Sequence, residues 1–244
     1  MLHRAVSLRV PSIGQRRQPL RAMASQSRDP GYELVIKQWP NKPGVPGDCP
    51  FCHRVLLTLA QKNIAYKTTL VDLTQKRPEW LLQASGGKVP VLRQESSGMV
   101  MPDSDVIVQH LEKEFPQPSM TSDIDPKIGS GLFPAFRAFL SAPKDAADTD
   151  KLQAALEGQL QEVEAALQAQ KGPLFGGDTL NATDAALGPK LYHAQVALQH
   201  LKGYTLPDRF SALHKYLDYI KQQPAWQATD YGAAAIVAGW SAHH

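Results

Sequence analysis

The sequence holds only two cysteines among 244 residues, Cys49 and Cys52, three positions apart. That excludes a secreted scaffold stapled by several disulfides and points to an intracellular protein with one special cysteine site. No apolar run approaches about 18 residues, so a membrane-spanning helix is excluded on length and no membrane partner is expected. Acidic residues are absent from the first 28 positions, where Arg4, Arg9, Arg16, Arg17, Arg21 and Arg28 fall. Setting those six aside from the 26 basic residues leaves 20 against 23 acidic ones in residues 29–244. The formal charge of +3 therefore belongs to the leader, and the mildly acidic body argues for no nucleic-acid partner. A 43% share of hydrophobic residues is enough for a sizeable core.

The segment 1–28 also carries Ser7, Ser12, Ser25 and Ser27 and has no apolar stretch of secretory type. An Arg- and Ser-rich, acid-free leader has the composition of an organelle transit peptide, so chloroplast delivery is expected, with the mitochondrion as alternative. Met23 offers a second start that would give a cytosolic form.

Beyond the leader two blocks differ in period. Glu33–Lys37 is an apolar run of strand length, and the Pro/Gly-rich loop Pro40–Gly47 follows it. In Cys49–Lys62 the apolar residues Phe51, Val55, Leu56 and Leu59 share a helical face, with Pro50 at the first position, where its missing N–H costs nothing. Strands are expected at Tyr66–Leu73, Lys88–Leu92 and Gly98–Met101, and helices at Pro78–Leu82 and Ser104–Glu114. That order is an α/β unit with a βαβ crossover, assigned to residues 29–116. After Pro116–Pro118 only helices are expected, at Ile128–Leu140, Lys151–Gln170, Ala182–Leu201 and Phe210–Lys221, making residues 117–244 an all-helical domain. Leu152, Leu156, Leu160, Val163 and Leu167 form a buried seam, and Asn181 with Asp184 reads as a capping pair. The glycosylation sequon at Asn181 is read as chance.

A cysteine just before a helix start gains from the free backbone N–H groups and the positive end of the helix dipole, which favour thiolate over thiol. Cys49 holds that position; Cys52 falls inside the first turn. Lys37 brings a cation near the site, whereas Asp48 opposes thiolate formation by repulsion and must serve otherwise, in binding a hydroxyl-rich substrate or moving a proton. Cys49-Pro-Phe-Cys52-His53 also satisfies the c-type haem attachment pattern, but no translocation signal accompanies it. Two sulfurs with scattered histidines give no second ligand pair for zinc, so no metal site is expected. A Cys pair in a βαβ setting favours thioredoxin-like redox chemistry.

Gly47–Leu59, Lys88–Val91 and Asp103–Val108, with Lys190–His193 and Val237–Trp240, together resemble plant-type dehydroascorbate reductases of the glutathione transferase superfamily. The resemblance runs from about Tyr32 to Trp240. It implies a thioredoxin-like α/β domain followed by an all-α domain, and glutathione-dependent reduction of dehydroascorbate. It implies that Cys49 is the nucleophile, that Lys37 and Asp48 line the dehydroascorbate pocket, and that Lys76, Val89, Asp103 and Ser104 hold glutathione. Pro90 would be the cis-proline of the fold, Val89 pairing its backbone with the peptide ligand. Glutathione would be a co-substrate, no cofactor would be permanently bound, and the chain would work as a monomer. Two departures stand out: His53 replaces the family's usual Gln, and the Arg77–Gly87 loop is shifted. Two rivals share the motif: an omega-type thiol transferase, and a non-enzymatic relative of the redox-regulated intracellular chloride channels.

Overall fold

The computed structural model describes residues 28–143 and 146–242. The expected transit peptide lies outside the described residues, except for its last member. Arg28 belongs to the first strand, where it pairs with Ile64 and donates to the Gln117 carbonyl at 2.8 Å, so a leader reaching through 28 cuts into the fold.

The first block runs β1 (Arg28–Lys37), α1 (Pro50–Gln61), β2 (Ile64–Val71), α2 (Glu79–Ser85), β3 (Val91–Gln94), β4 (Met99–Pro102) and α3 (Ser104–Glu114). The sheet has the order β2-β1-β3-β4, with β1 parallel to β2 across the α1 crossover and antiparallel to β3, and β3 antiparallel to β4. Leu34, Val35 and Ile36 of β1 are all buried because both faces of the sheet are covered. Leu34 and Ile36 pack with Val55 and Leu59 of α1 and Ile107 and Leu111 of α3. Val35 packs with Leu81 of α2 on the other face. A strand covered on both sides loses the polar alternation of a half-buried one, which is why β1 reads as a continuous apolar run.

The second block is helical: α4 (Leu132–Ser141), α5 (Thr149–Gln168), α6 (Ala182–Ala197), α7 (Ser211–Ile220), α8 (Pro224–Thr229) and α9 (Ala233–Ser241). Leu156, Leu160, Val163 and Leu167 of α5 are buried in its core, with Leu152 half-buried at the end of the seam. The expected capping pair is present as a full capping box: Asn181 accepts from the Thr183 and Asp184 N–H groups at 2.9 and 3.1 Å, and Asp184 accepts from the Asn181 N–H at 3.0 Å. Asn181 is buried and also donates to Ser122 at 3.2 Å, so the sequon at this position is a helix cap.

Several bounds differ from the sequence expectation. Lys88–Pro90 lies ahead of β3 in the loop that carries the cis Val89–Pro90 bond. The long third helix gives way at Leu198–Lys202 to a wider π turn that ends at Gly203, whose φ of +68° suits glycine. Helices α8 and α9 went unread. The first has one and a half turns, too few for a period, and the second, Ala-Ala-Ala-Ile-Val-Ala-Gly-Trp-Ser, is apolar on nearly every side.

The two blocks are joined along α1. The fully buried Lys62 at its C-cap donates to the Phe115 and Pro118 carbonyls at 2.8 Å each and pairs with Glu112 at 2.7 Å, fastening the start of the interdomain segment. With α6, α8 and α9 behind it, the N-terminus of α1 opens at the domain junction.

Candidate active site

Cys49 is the N-cap of α1, extended at φ −150° and ψ 107°, with Pro50 opening the helix. Its sulfur accepts the Cys52 backbone N–H at 3.4 Å. The Cys49 thiol is pulled below its ordinary pKa chiefly by a hydrogen bond from the Cys52 thiol, against the opposing effect of burial. The Cys52 and Phe51 N–H groups and the Lys37 charge add to the lowering. Cys52 goes the other way: burial, and then its bond to and repulsion by a charged Cys49, push its pKa well up. The pair is thus asymmetric, with Cys49 the sulfur pulled toward the thiolate form and Cys52 the one pushed to keep its proton. The helix start was legible in the sequence; the larger share taken by the Cys52 thiol was not.

Lys37 ends β1, and the loop after it folds back so that the Gly47 N–H donates to the Lys37 carbonyl at 2.7 Å. A side chain at Gly47 would overlap the Gln38 carbonyl, so only glycine allows this return. The fold-back sets Asp48 against Lys37, Oδ1 to Nζ at 2.7 Å, with both side chains largely buried. Asp48 was expected to oppose the thiolate. Instead its charge is matched by Lys37, whose positive charge still reaches Cys49.

The Val89–Pro90 bond is cis, and Val89 is half-buried. Asp103 is the N-cap of α3, its Oδ1 accepting from the Asp105 N–H at 2.7 Å, while Ser104 is buried in the first turn. Asp103 has φ +75°, a strained value for a residue with a side chain, which marks the turn from β4 into α3 as a place to look for function. Lys76 is exposed on the loop between β2 and α2 and makes no hydrogen bond or ion pair among the described residues.

Behind Cys49 stands a wall that sequence reasoning missed. His53, fully buried, lies between Trp226 and Tyr231, with ring centroids at 4.5 and 5.0 Å. Its Nε2 meets the Thr229 hydroxyl at 3.2 Å, and burial lowers its pKa to about 3. Cys52 and this imidazole, which the haem attachment pattern would need accessible, are packed away at 2% and 0% exposure. Trp240 Nε1–H donates to His193 Nδ1 at 3.0 Å, and His193 Nε2 meets the Tyr231 hydroxyl at 2.6 Å. His193 and Trp240 fell within the segments that carried the resemblance, but Tyr231 had no sequence signal. Among the described residues no group of three His, Cys, Asp or Glu side chains is arranged to hold a metal ion.

A cysteine at a helix start, a cis-proline before β3 and a helical domain packed on that helix define a glutathione-transferase architecture. The N-terminal domain family of glutathione S-transferases matches residues 47–119, and their C-terminal domain family matches residues 146–218. A rice protein named as the probable cytosolic glutathione S-transferase DHAR1 is 38% identical over 86% of this chain and 97% of its own. The chloroplastic glutathione S-transferase DHAR3 of Arabidopsis thaliana is 35% identical over 85% of this chain and 79% of its own. The crystal structure of dehydroascorbate reductase from Chlamydomonas reinhardtii superposes with a TM-score of 0.82 at 52% identity, covering 87% of this chain and 98% of that one. The chain belongs to the glutathione S-transferase family, on its dehydroascorbate reductase branch.

Proposed function

We propose that the protein reduces dehydroascorbate to ascorbate at the expense of two glutathiones, through the Cys49 thiolate. The observation that carries this reading is Cys49 at the N-cap of α1, its sulfur accepting the Cys52 N–H at 3.4 Å, a place that favours thiolate over thiol. A thiolate is the form that attacks carbonyl carbon and disulfide sulfur alike. Cys49 adds to a carbonyl of dehydroascorbate. Water then attacks the sulfur, ascorbate leaves with the electron pair of the carbon–sulfur bond, and Cys49 remains as sulfenic acid. One glutathione condenses with it, releasing water and forming a mixed disulfide. A second glutathione thiolate resolves that disulfide, giving oxidised glutathione and the free Cys49 thiolate.

Lys37 and Asp48, paired beside Cys49, offer a donor and an acceptor to the hydroxyl-rich substrate. Glutathione is assigned to Val89, Asp103, Ser104 and Lys76: peptide pairing at Val89, the γ-glutamyl carboxylate at the start of α3, its ammonium on the exposed Asp103 carboxylate, and Lys76 on the far carboxylate. The leader composition supports delivery to the chloroplast, and named relatives include both cytosolic and chloroplastic proteins. The deciding assay supplies glutathione with dehydroascorbate in one arm and with a small glutathione mixed disulfide in the other. Turnover of dehydroascorbate well above the uncatalysed rate supports the reading. Turnover of the mixed disulfide alone would transfer the protein to the thiol transferases.

A further inference from the structure

We propose that Tyr231 is a catalytic hydrogen-bond donor, its hydroxyl turned by the Trp240–His193 pair to present its proton to the oxygen anion that forms when Cys49 adds to a carbonyl. The inference rests on the function proposed above and concerns how the first step is made easy.

The orientation follows from counting protons. An indole nitrogen donates and never accepts. The bond from Trp240 Nε1 at 3.0 Å therefore requires a bare lone pair on His193 Nδ1. His193 is fully buried, and burial holds it neutral. A neutral imidazole carries one proton, so the proton of His193 must sit on Nε2. In the 2.6 Å contact with Tyr231, His193 is then the donor and the phenol oxygen the acceptor. The hydrogen of the Tyr231 hydroxyl is left over, and no other hydrogen bond of Tyr231 is present among the described residues.

Its neighbours place the Tyr231 ring beside the start of α1. Tyr231 packs edge-on to His53, one residue beyond Cys52 on α1. Trp240 follows Gly239, whose α-carbon lies against the Asp48 carboxylate next to Cys49. The pKa of Tyr231 is raised well above its ordinary value by burial and then by negative charge on Cys49 and Asp48. A phenol in that setting keeps its proton throughout the working pH range and acts as a fixed donor.

The chemistry needs such a donor. When the Cys49 sulfur bonds to the carbonyl carbon, the π electron pair moves onto oxygen, and a donor already in place stabilises that anion with no proton transferred. When water attacks the sulfur, the carbon–sulfur pair returns to carbon. One water proton stays on the sulfenic acid and the other leaves with the ascorbate monoanion. Attack on a disulfide develops charge on sulfur instead and makes no oxygen anion, so the requirement is selective.

Tyr231→Phe keeps the ring contacts and removes only the hydroxyl. The experiment measures kcat and KM of this variant with dehydroascorbate and with a glutathione mixed disulfide, along with iodoacetamide alkylation of Cys49. The expected result is a kcat loss of about 100-fold with dehydroascorbate, as for removal of one oxyanion donor, with mixed-disulfide turnover and alkylation near those of the parent. An unchanged kcat with dehydroascorbate would overturn the inference, and so would an equal loss on both substrates, which would make Tyr231 structural. Failure of the parent protein to turn over dehydroascorbate would instead overturn the function on which the inference rests.

Discussion

The Asp48 carboxylate, beside Cys49 on the α/β domain, lies directly against the α-carbon of Gly239 in the last described helix. A Cβ at Gly239 would occupy the space of the carboxylate itself. The C-terminal helix thus packs against the acceptor half of the Lys37–Asp48 pair, and this close fit exists only when both domains are present.

Gly239→Ala should therefore raise KM for dehydroascorbate by roughly tenfold or more, the effect of misplacing one binding group. Iodoacetamide alkylation of Cys49 should be nearly unchanged. Alanine suits a helix interior better than glycine by about 1 kcal/mol, so the loss cannot be laid to helix propensity. Steady-state kinetics of this variant beside the parent, with thermal unfolding of each, makes the check.

The Cys52 thiol is the largest single influence lowering the Cys49 pKa. Cys52→Ala removes that donor and should move the pH profile of Cys49 alkylation upward. Cys52→Ser, which restores a donor in the same place, should keep the profile close to the parent's. Identical profiles in the two variants would show that the backbone N–H groups alone sustain the thiolate.

His53 has a folded pKa of about 3 against an ordinary value of 6.5, with burial as the cause. Between those values the unfolded chain binds a proton that the folded chain refuses, so stability is whole above about pH 6.5 and falls as pH drops toward 3. At pH 5 the cost is about 2 kcal/mol. His53→Gln removes this contribution, and urea unfolding across pH 7 to 5 should show a shallower loss of stability than in the parent. An unaltered slope would mean that His53 is not held neutral.

Fusing residues 1–28 to a fluorescent protein should direct it to plastids, the six arginines with no acid being the motive. Diffuse cytosolic fluorescence would remove the transit-peptide reading.

Much of the α/β block was legible because its signals are local. The β1 apolar run, Pro50 at the helix start and Asp103 ahead of Ser104 each announce an element within a few residues. The N-cap place of Cys49 was legible for the same reason: it is set by the helix that begins beside it. Lys37 and Asp48 were both singled out, but their ion pair depends on the return of the loop at Gly47, which brings residues from two elements together. The wall behind Cys49 was least legible. Tyr231 lies in a short connection between α8 and α9, elements too short or too uniformly apolar to show a period, and its role depends on His193 from α6. A side chain whose function is set by contacts with remote residues leaves no pattern in its own neighbourhood.

The central claim, that one sulfur of the pair does the chemistry, is tested most directly by comparing Cys49→Ser and Cys52→Ser in glutathione-dependent dehydroascorbate reduction, with iodoacetamide titration of both. The account predicts that Cys49→Ser loses activity by at least about 100-fold and the rapidly alkylated thiol with it. It predicts that Cys52→Ser retains much of the parent rate and ping-pong kinetics. Equal loss in the two variants would contradict it and establish a mechanism that needs both thiols.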